Sequence, residues 1–306
     1  MIIMYFLNDN ERKKLLKSYL PKSREQGVSE ELRGWNWHQP PLEYLFETRL
    51  PLYQIAGKYC SSGRDVYLNR VHRVKPVPND AMKKGLLFHE LIVKILVRTK
   101  KLIYLHGVSQ ISVVLEELPL VLTEFKDRAK ELNIEDENLD DYMEQIYNYE
   151  YYRISSRLQE ILSLQPYINE DSLASLTIPF VLEQRLDGNF LGLSSNLSTD
   201  AFVFSEPMII DLKFGKKEKF HHLTTTGYAL VMESLYEYPI NIGCIVYGEF
   251  KNGRLHVKKD IHIINDELRQ WFVEERDEKS RIVYDELDPG KADNCYDACP
   301  YICHCE

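Results

Sequence analysis

The sequence predicts an α/β protein, in which a sheet is flanked by helices. Apolar residues mostly recur at helical spacing before residue 165, whereas after Thr177 they fall into the short runs typical of strands. The dipeptide Asn252-Gly253 separates two of these runs and indicates a tight hairpin. These observations place the sheet in the second half of the chain.

The elements follow from apolar spacing and from the residues that start and stop helices. Asn8 or Asn10 is expected to cap the first helix and Pro21 to end it, and residues 102–116 are expected to be a strand or irregular. Helices are predicted at 8–20, within 53–71 (where the helix carries Cys60), and at 80–99, 218–237 and 265–284, with a long helical region at about 119–163. Strands are predicted at 177–186, 190–194, 200–204, 208–214, 241–250 and 254–263.

The chain is expected to form one interwoven unit of four parts. These are a helical N-terminal part (1–105), an acidic and mainly helical insertion (106–176), a core that contains the sheet (177–284) and a cysteine-rich tail (285–306). With 306 residues, 44% hydrophobic and 28% charged, the composition is that of a globular protein. No apolar run is long enough to span a bilayer and the apolar start lacks a basic leader, so we expect a cytoplasmic protein without a membrane partner.

The net charge of −9 argues against a surface that coats nucleic acid throughout. The charges are segregated, however. Residues 58–101 contain 11 Lys and Arg against 3 Asp and Glu, whereas residues 116–150 contain 3 against 12. We interpret the acidic run as a solvated helix face, and the basic run as either ordinary surface charge or a local face for a polyanion.

A short stretch in the core concentrates charge inside apolar strands. Asp200 enters one predicted strand, and Asp211 and Lys213 share one face of the next because side chains alternate along a strand. If these strands pair, two carboxylates and one ammonium meet at a sheet edge, where they could hold a divalent metal. The alternative is that the charges only protect an edge strand or form an exposed pair.

The remaining candidates are one histidine and a group of cysteines. His89 lies on the predicted helix 80–99, four residues after Gly85 on an otherwise apolar face. The six cysteines are Cys60, Cys244, Cys295, Cys299, Cys303 and Cys305. Four of them fall in the last dozen residues, and in a chain without a secretion signal such clustering indicates metal or iron–sulfur binding rather than disulfides.

In this order, the His helix, the Asp strand, the Asp-x-Lys strand and the split cysteines resemble the CRISPR-associated RecB-like iron–sulfur exonucleases, in particular their archaeal type I-A variant. The resemblance covers about 55–105 and 177–306. It implies the restriction-endonuclease-like (PD-(D/E)XK) fold, a mixed sheet flanked by helices, and an iron–sulfur cluster in the tail. The sequence departs from the family at Thr224, where a Gln is usual four residues before the helix Tyr.

The resemblance also implies roles for single residues. His89, Asp200, Asp211 and the backbone carbonyl of Leu212 would bind Mn²⁺ or Mg²⁺, and Lys213 would act on the attacking water. The remaining implied assignments are Cys60, Cys295, Cys299 and Cys305 as ligands of a [4Fe–4S] cluster, with Cys303 as the alternative ligand, and Tyr228 as a substrate contact. Arg64 and Arg70 are not implied by the resemblance; they belong to the basic run and could hold phosphates of the substrate, or be ordinary surface charge. Four thiolates also suit zinc, which the spacing leaves open.

The implied activity is metal-dependent exonucleolytic cleavage of single-stranded or frayed DNA. Its setting would be prespacer processing in CRISPR adaptation, with the CRISPR integrase complex as partner. The alternative is a non-catalytic iron–sulfur DNA-binding scaffold of that complex. Tyr228 is as consistent with packing as with substrate contact, His221 and His222 are interpreted as solvated helix residues, and Cys244 as a core residue.

Overall fold

The computed structural model describes residues 4–293, 295 and 299–305. Within them, five strands form one sheet in the order β1-β2-β3-β4-β5. β3 and β4 run parallel and the other neighbours are antiparallel, so the sheet is mixed and the predicted α/β class is confirmed. The strands are β1 (Val181–Leu186), β2 (Leu197–Val203), β3 (Met208–Phe214), β4 (Ile242–Lys251) and β5 (Arg254–Ile263).

Helices surround this sheet. They are α1 (Asp9–Lys14), α2 (Leu20–Gln26), α3 (Leu52–Ala56), α4 (Arg64–Arg70), α5 (Asp80–His106), α6 (Ile111–Glu117), α7 (Leu120–Glu131), α8 (Leu139–Leu164), α9 (Glu170–Thr177), α10 (His222–Tyr236) and α11 (Asp266–Tyr284). In the described part of the chain no single helix is long and apolar enough to cross a membrane; one pair, Asp80–His106 with Val108–Glu131, meets the length and composition together but is bent by 114°.

Two connections fix the sheet order. A parallel pair needs a crossover, and α10 lies between β3 and β4 in sequence and packs on both. β4 and β5 are joined by the predicted hairpin, in which Asn252 and Gly253 both have a left-handed backbone, with φ of 50° and 71°. Two consecutive left-handed residues match the twist of a two-residue hairpin, so this prediction is confirmed.

The sheet separates two apolar cores. In the first, Ile210 and Leu212 of β3 pack with α5 and the helices of the predicted acidic insertion. In the second, Ile209 of β3 packs with α3, α10 and α11. Because side chains alternate along β3, Asp211 and Lys213 share the face of Ile209 and point toward the α10 side.

A loop rich in Gly, Trp and Pro, residues 34–41, packs against α10. Glu233 of α10 accepts a hydrogen bond from the Gly34 N–H at 2.9 Å and forms ion pairs with Arg33 at 2.9 Å and Arg269 at 2.7 Å. A Cβ on Gly34 would lie 2.1 Å from the Leu230 carbonyl oxygen, so only glycine allows this approach. The loop is therefore held against α10 by a buried carboxylate.

The first helix does not end at Pro21 as expected. Asn8 caps α1 with a reciprocal capping box, as predicted. A π-helical turn at Leu15–Tyr19 then restarts the helix, and Pro21 falls in the first turn of α2, where a missing N–H is tolerated. The helical course therefore continues to Gln26.

Three further predictions of local structure are wrong. The helix expected at 53–71 is broken into α3 and α4, with Gly57 after the first and Gly63, at φ 76°, before the second, so Cys60 lies in a loop. Residues 102–116 are mainly helical. α5 continues as far as His106 because its apolar face is still packed in the first core at Leu102 and Ile103. Residues 190–194 do not form one of the five strands of the sheet, and a short 3₁₀ turn covers Asn189–Leu191.

Candidate metal centre and cysteine pocket

Two acidic side chains meet where β2 and β3 pair. The register sets Ala201 opposite Ile210, which makes Asp200 and Asp211 neighbours on adjacent strands. The Asp200 carboxylate also accepts a hydrogen bond from the backbone N–H of Leu212 at 2.7 Å. Strand pairing and this hydrogen bond together fix the Asp200 carboxylate beside β3.

Lys213 supplies the cation expected from the sequence. Its Nζ lies 2.9 Å from Asp211 Oδ2 and 3.2 Å from Asp211 Oδ1. The three groups lie within the sheet, however, and the expectation of a sheet edge is wrong. β3 is the central strand, because β1 and β2 extend the sheet on one side and β4 and β5 on the other.

His89 reaches the same place from α5. Its Nε2 lies 3.3 Å from Asp200 Oδ1. The structure thus brings together the four residues whose side chains were predicted to bind metal or act on water, His89, Asp200, Asp211 and Lys213. His89 lies on a helix more than a hundred positions before the two strands that carry the other three residues.

Mutual charge and burial shift the pKa values of these groups. Burial, with a smaller contribution from Asp200, raises the pKa of Asp211 to about 6 despite the adjacent Lys213. Burial acts in the same direction on Asp200, but His89, Lys213 and the Leu212 N–H outweigh it and lower that pKa. The pKa of Lys213 is raised because the two carboxylates outweigh its burial. The chain's own charges thus favour the ammonium form of Lys213.

The donor set fits a divalent cation. Among the described residues, His89 Nε2 and Asp211 Oδ2 are buried without a well-directed hydrogen bond, although each has an oppositely charged neighbour. Orphaned buried polar atoms are uncommon, and an imidazole nitrogen with carboxylate oxygens suits Mn²⁺ or Mg²⁺. These side chains nevertheless contact one another only in pairs. In the described part of the chain, no three His, Cys, Asp or Glu side chains are already arranged around a single point.

Tyr228 of α10 lies beside this centre. Its hydroxyl donates a hydrogen bond to the backbone carbonyl of Ser198 in β2. Burial, together with the charges of Asp211 and Asp200, raises its pKa. The hydroxyl therefore has a partner within the protein, and the substrate contact of Tyr228 stays a prediction.

The cysteines form a second group. Cys60, Cys295, Cys299 and Cys305 line one small cavity together with Tyr59 and Arg64. Cys303 is exposed and lies outside this lining, whereas Cys305 is buried. We call this cavity the cysteine pocket. Cys244 is fully buried in β4, so the interpretation of Cys244 as a core residue is confirmed.

Several contacts tie the tail to the N-terminal part around the cysteine pocket. Arg64 of α4 makes a two-pronged bond to Asp288, with distances of 3.0 and 2.9 Å. Ser62 Oγ donates to the Gly290 carbonyl at 2.9 Å. Tyr301 and Cys305 pack in a small apolar cluster with residues of α4 and α11. The tail is thus held on both sides of the pocket.

Both arginines predicted to contact substrate have partners inside the protein. Arg64 is bound to Asp288, and Arg70 Nε donates to Gln54 Oε1 at 2.7 Å. These bonds orient the two guanidinium groups along α4. Each would need to share its donors with an incoming phosphate.

Sequence reasoning missed His221. This residue is 4% exposed, not solvated, and its two ring nitrogens lie 3.1 Å from the hydroxyls of Tyr59 and Tyr247. Burial, with Lys213 and His222 nearby, lowers its pKa to about 4. The adjacent His222 is half-buried and bonded to Asp260 at 2.7 Å. Helical spacing alone could not show this, because the partners come from a loop and from β4.

The fold and these two groups define an α/β protein that gathers two carboxylates, a histidine and a lysine on a mixed sheet and four cysteines beside it. The chain belongs to the family of the CRISPR-associated exonuclease Csa1, whose family model matches residues 4–306. The relationship to CRISPR-associated exonucleases predicted from the sequence is therefore confirmed.

Two curated relatives agree with this assignment. A protein of Saccharolobus solfataricus named CRISPR-associated exonuclease Csa1 is 32% identical over 296 residues, which cover 95% of this chain and 97% of the relative. A protein of the same name from Thermoproteus tenax is 28% identical over 278 residues, 91% of each chain. No solved structure matches the chain.

Proposed function

We propose that this protein is a divalent-metal-dependent DNA exonuclease of the PD-(D/E)XK type. The observation that carries the proposal is the convergence of His89, Asp200, Asp211 and Lys213, with one buried nitrogen and one buried carboxylate oxygen that lack a well-directed hydrogen bond. The names of the relatives support the exonuclease class.

In this mechanism His89, Asp200, Asp211 and the carbonyl of Leu212 would hold Mn²⁺ or Mg²⁺. When bound, such an ion polarises the scissile phosphate and makes a nearby water more acidic. Asp200 fixes the Leu212 backbone through the 2.7 Å bond and so orients the neighbouring carbonyl. Lys213, next to Asp211, orients the attacking water or stabilises the charge that develops on the phosphate.

For the cysteine pocket we propose a [4Fe–4S] cluster bound by Cys60, Cys295, Cys299 and Cys305. Four thiols at one cavity are the donor set of such a cluster, and also that of zinc. The exposed position of Cys303 supports Cys305 as the fourth ligand. The cluster would act structurally, by joining the tail to the loop before α4.

The proposed substrate is single-stranded or frayed DNA, trimmed as a prespacer during CRISPR adaptation in the cytoplasm with the CRISPR integrase complex as partner. The basic balance of residues 58–101, with Arg64 and Arg70, would provide phosphate contacts without base readout. Tyr228 lies next to Asp200, Asp211 and Lys213, which we call the acidic centre, and is the candidate for a contact near the cleaved end.

The alternative is a DNA-binding scaffold that needs the cysteine pocket and does not cleave. The specific observation in its favour is that Lys213 and Asp211 already neutralise one another, and that no ready three-ligand group exists among the described residues. In this reading the acidic centre contributes only to the fold.

The deciding experiment is cleavage of end-labelled single-stranded DNA by protein purified without oxygen. It compares Mn²⁺ with EDTA, and the wild type with Lys213→Ala and with a control, Lys216→Ala, at an exposed lysine three residues away. The proposal expects metal-dependent cleavage that Lys213→Ala abolishes without loss of DNA binding. Equal cleavage by Lys213→Ala, or DNA binding without cleavage by the wild type, would favour the scaffold.

A further inference from the structure

A chain of hydrogen-bonded side chains begins at Tyr247 of β4, the strand next to the one that carries Lys213. Tyr247 of β4 is paired in register with Lys213 of β3, so the two side chains are neighbours on one face of the sheet. The Tyr247 hydroxyl lies 3.1 Å from His221 Nδ1, and His221 Nε2 lies 3.1 Å from the Tyr59 hydroxyl. Three side chains from a strand, the start of α10 and a loop are thereby joined.

The far end of this chain lies at the cysteine pocket. Tyr59 directly precedes Cys60, and both residues line the pocket. The Tyr59 ring also packs edge-on against Phe220, with ring centres 4.9 Å apart. Tyr247 is not among the residues that line the pocket, and the hydrogen bonds through His221 and Tyr59 connect it to the Cys60 loop.

The central imidazole couples its two partners. A neutral imidazole donates through one nitrogen and accepts through the other, so the bonds to the two tyrosine hydroxyls depend on each other. His221 is 4% and Tyr247 6% exposed, so water cannot easily replace the bond between them, whereas Tyr59 is 56% exposed and its bond to His221 borders solvent. The His221–Tyr247 bond is therefore the firmer of the two, because a buried hydrogen bond is electrostatically stronger than an exposed one.

We propose that Tyr59 and His221 are positioning residues that join the Cys60 loop to Tyr247 of β4, the neighbour of Lys213, so that binding in the cysteine pocket sets the placement of Lys213. The part that concerns Lys213 rests on the proposed nuclease function. The physical link between Tyr247 and Cys60 does not depend on it.

The link is tested first without an activity assay. In the full chain, treated with a chelator and then alkylated, mass spectrometry measures how fast the Cys60 thiol reacts. Tyr247→Phe removes one hydroxyl outside the pocket and is expected to raise this rate about threefold to tenfold, the effect of losing one hydrogen bond. Tyr167→Phe, at a side chain that is 99% exposed, is the matched control and is expected to change nothing.

The second readout is cleavage. Tyr59→Phe keeps the ring and its contact with Phe220, and is expected to slow cleavage about threefold to tenfold with unchanged DNA affinity. It should also shift the imidazole ¹⁵N resonances of His221, which a loss of general stability would not do. An unchanged Cys60 rate in Tyr247→Phe overturns the link whatever the cleavage assay gives. Wild-type cleavage that Tyr59→Phe leaves unaltered overturns the role for Lys213, whereas a wild type without cleavage refutes the proposed function instead.

Discussion

Asp200 of β2 accepts a hydrogen bond from the backbone N–H of Leu212 at 2.7 Å, and this bond fixes the backbone of β3 between Asp211 and Lys213. The carboxylate thus acts on the backbone of β3 as well as through its charge. These two roles can be separated by substitution, because an amide oxygen accepts the same hydrogen bond without the negative charge.

Asp200→Asn is expected to keep the fold and lose activity. Cleavage should fall by a factor on the order of 100 or more, since a charged metal ligand is lost. Asp200→Ala should in addition lower the free energy of unfolding by about 1–3 kcal/mol, because the Leu212 N–H is left without its acceptor. Cleavage assays and thermal unfolding measure the two effects. Glu206→Gln, in the turn of the same hairpin, is the control, and equal cleavage by Asp200→Asn would contradict the metal-ligand role.

Cys303→Ser and Cys305→Ser are expected to differ. Cys305 is buried in the lining of the cysteine pocket and Cys303 is exposed outside it. After purification without oxygen, Cys303→Ser should retain the iron content of the wild type and Cys305→Ser should lose most of it. The reverse result would make Cys303 the ligand, and stoichiometric zinc without iron in the wild type would exclude the cluster.

Glu150→Gln is expected to change how stability depends on pH. Burial raises the pKa of Glu150 from 4.5 to about 7, although Met4 N–H, Arg153 and Lys259 oppose the shift. The folded state therefore holds this proton more tightly than the unfolded chain. Its contribution to stability is full below about pH 4.5 and is lost as pH rises through 7.

The variant should consequently exceed the wild type in free energy of unfolding at pH 8 by up to about 3 kcal/mol, a margin that shrinks toward pH 5. Denaturant unfolding at several pH values measures it. The buried His262, whose pKa is lowered to about 3, destabilises both proteins on acidification, so the difference between them isolates Glu150. A margin that does not vary with pH would refute the raised pKa.

Glu233→Gln is expected to destabilise the protein strongly. Glu233 is fully buried and pairs with Arg269 and Arg33. Removing its charge leaves two buried guanidinium groups uncompensated, which costs about 3–5 kcal/mol. Thermal or denaturant unfolding measures the loss. Glu274→Gln, at an exposed position of α11, should change stability by less than about 0.5 kcal/mol, and similar values for both variants would show that the buried pair contributes nothing.

The acidic centre was predictable from local rules. Asp211 and Lys213 share a face because strand side chains alternate, and the short turn after Val203 brings Asp200 opposite Asp211. The position of β3 at the centre of the sheet was not predictable, since it depends on β4 joining in parallel through α10. Periodicity describes one strand and does not say which strands will be neighbours.

Errors arose where a distant contact outweighed a local preference. Pro21 does not end the helical course because a π-helical turn places it where no N–H is needed. His221 follows a run of charged residues, 216–219, by two positions, yet it is buried and bonded to Tyr59 and Tyr247 from two other elements. The position of Cys60 beside the tail cysteines could be predicted only from the family resemblance, because no local rule connects residues so far apart in the sequence.

That separation has a consequence for biosynthesis. Cys60 and Cys295 are 235 positions apart, and the pocket also requires Cys305. At about 5–20 residues per second, the ribosome needs roughly 10–50 s to reach the tail after it has made Cys60. During that time the sheet can form while no tail cysteine is present beside Cys60. Completion of the pocket is therefore a late event, which waits for the synthesis of Cys305.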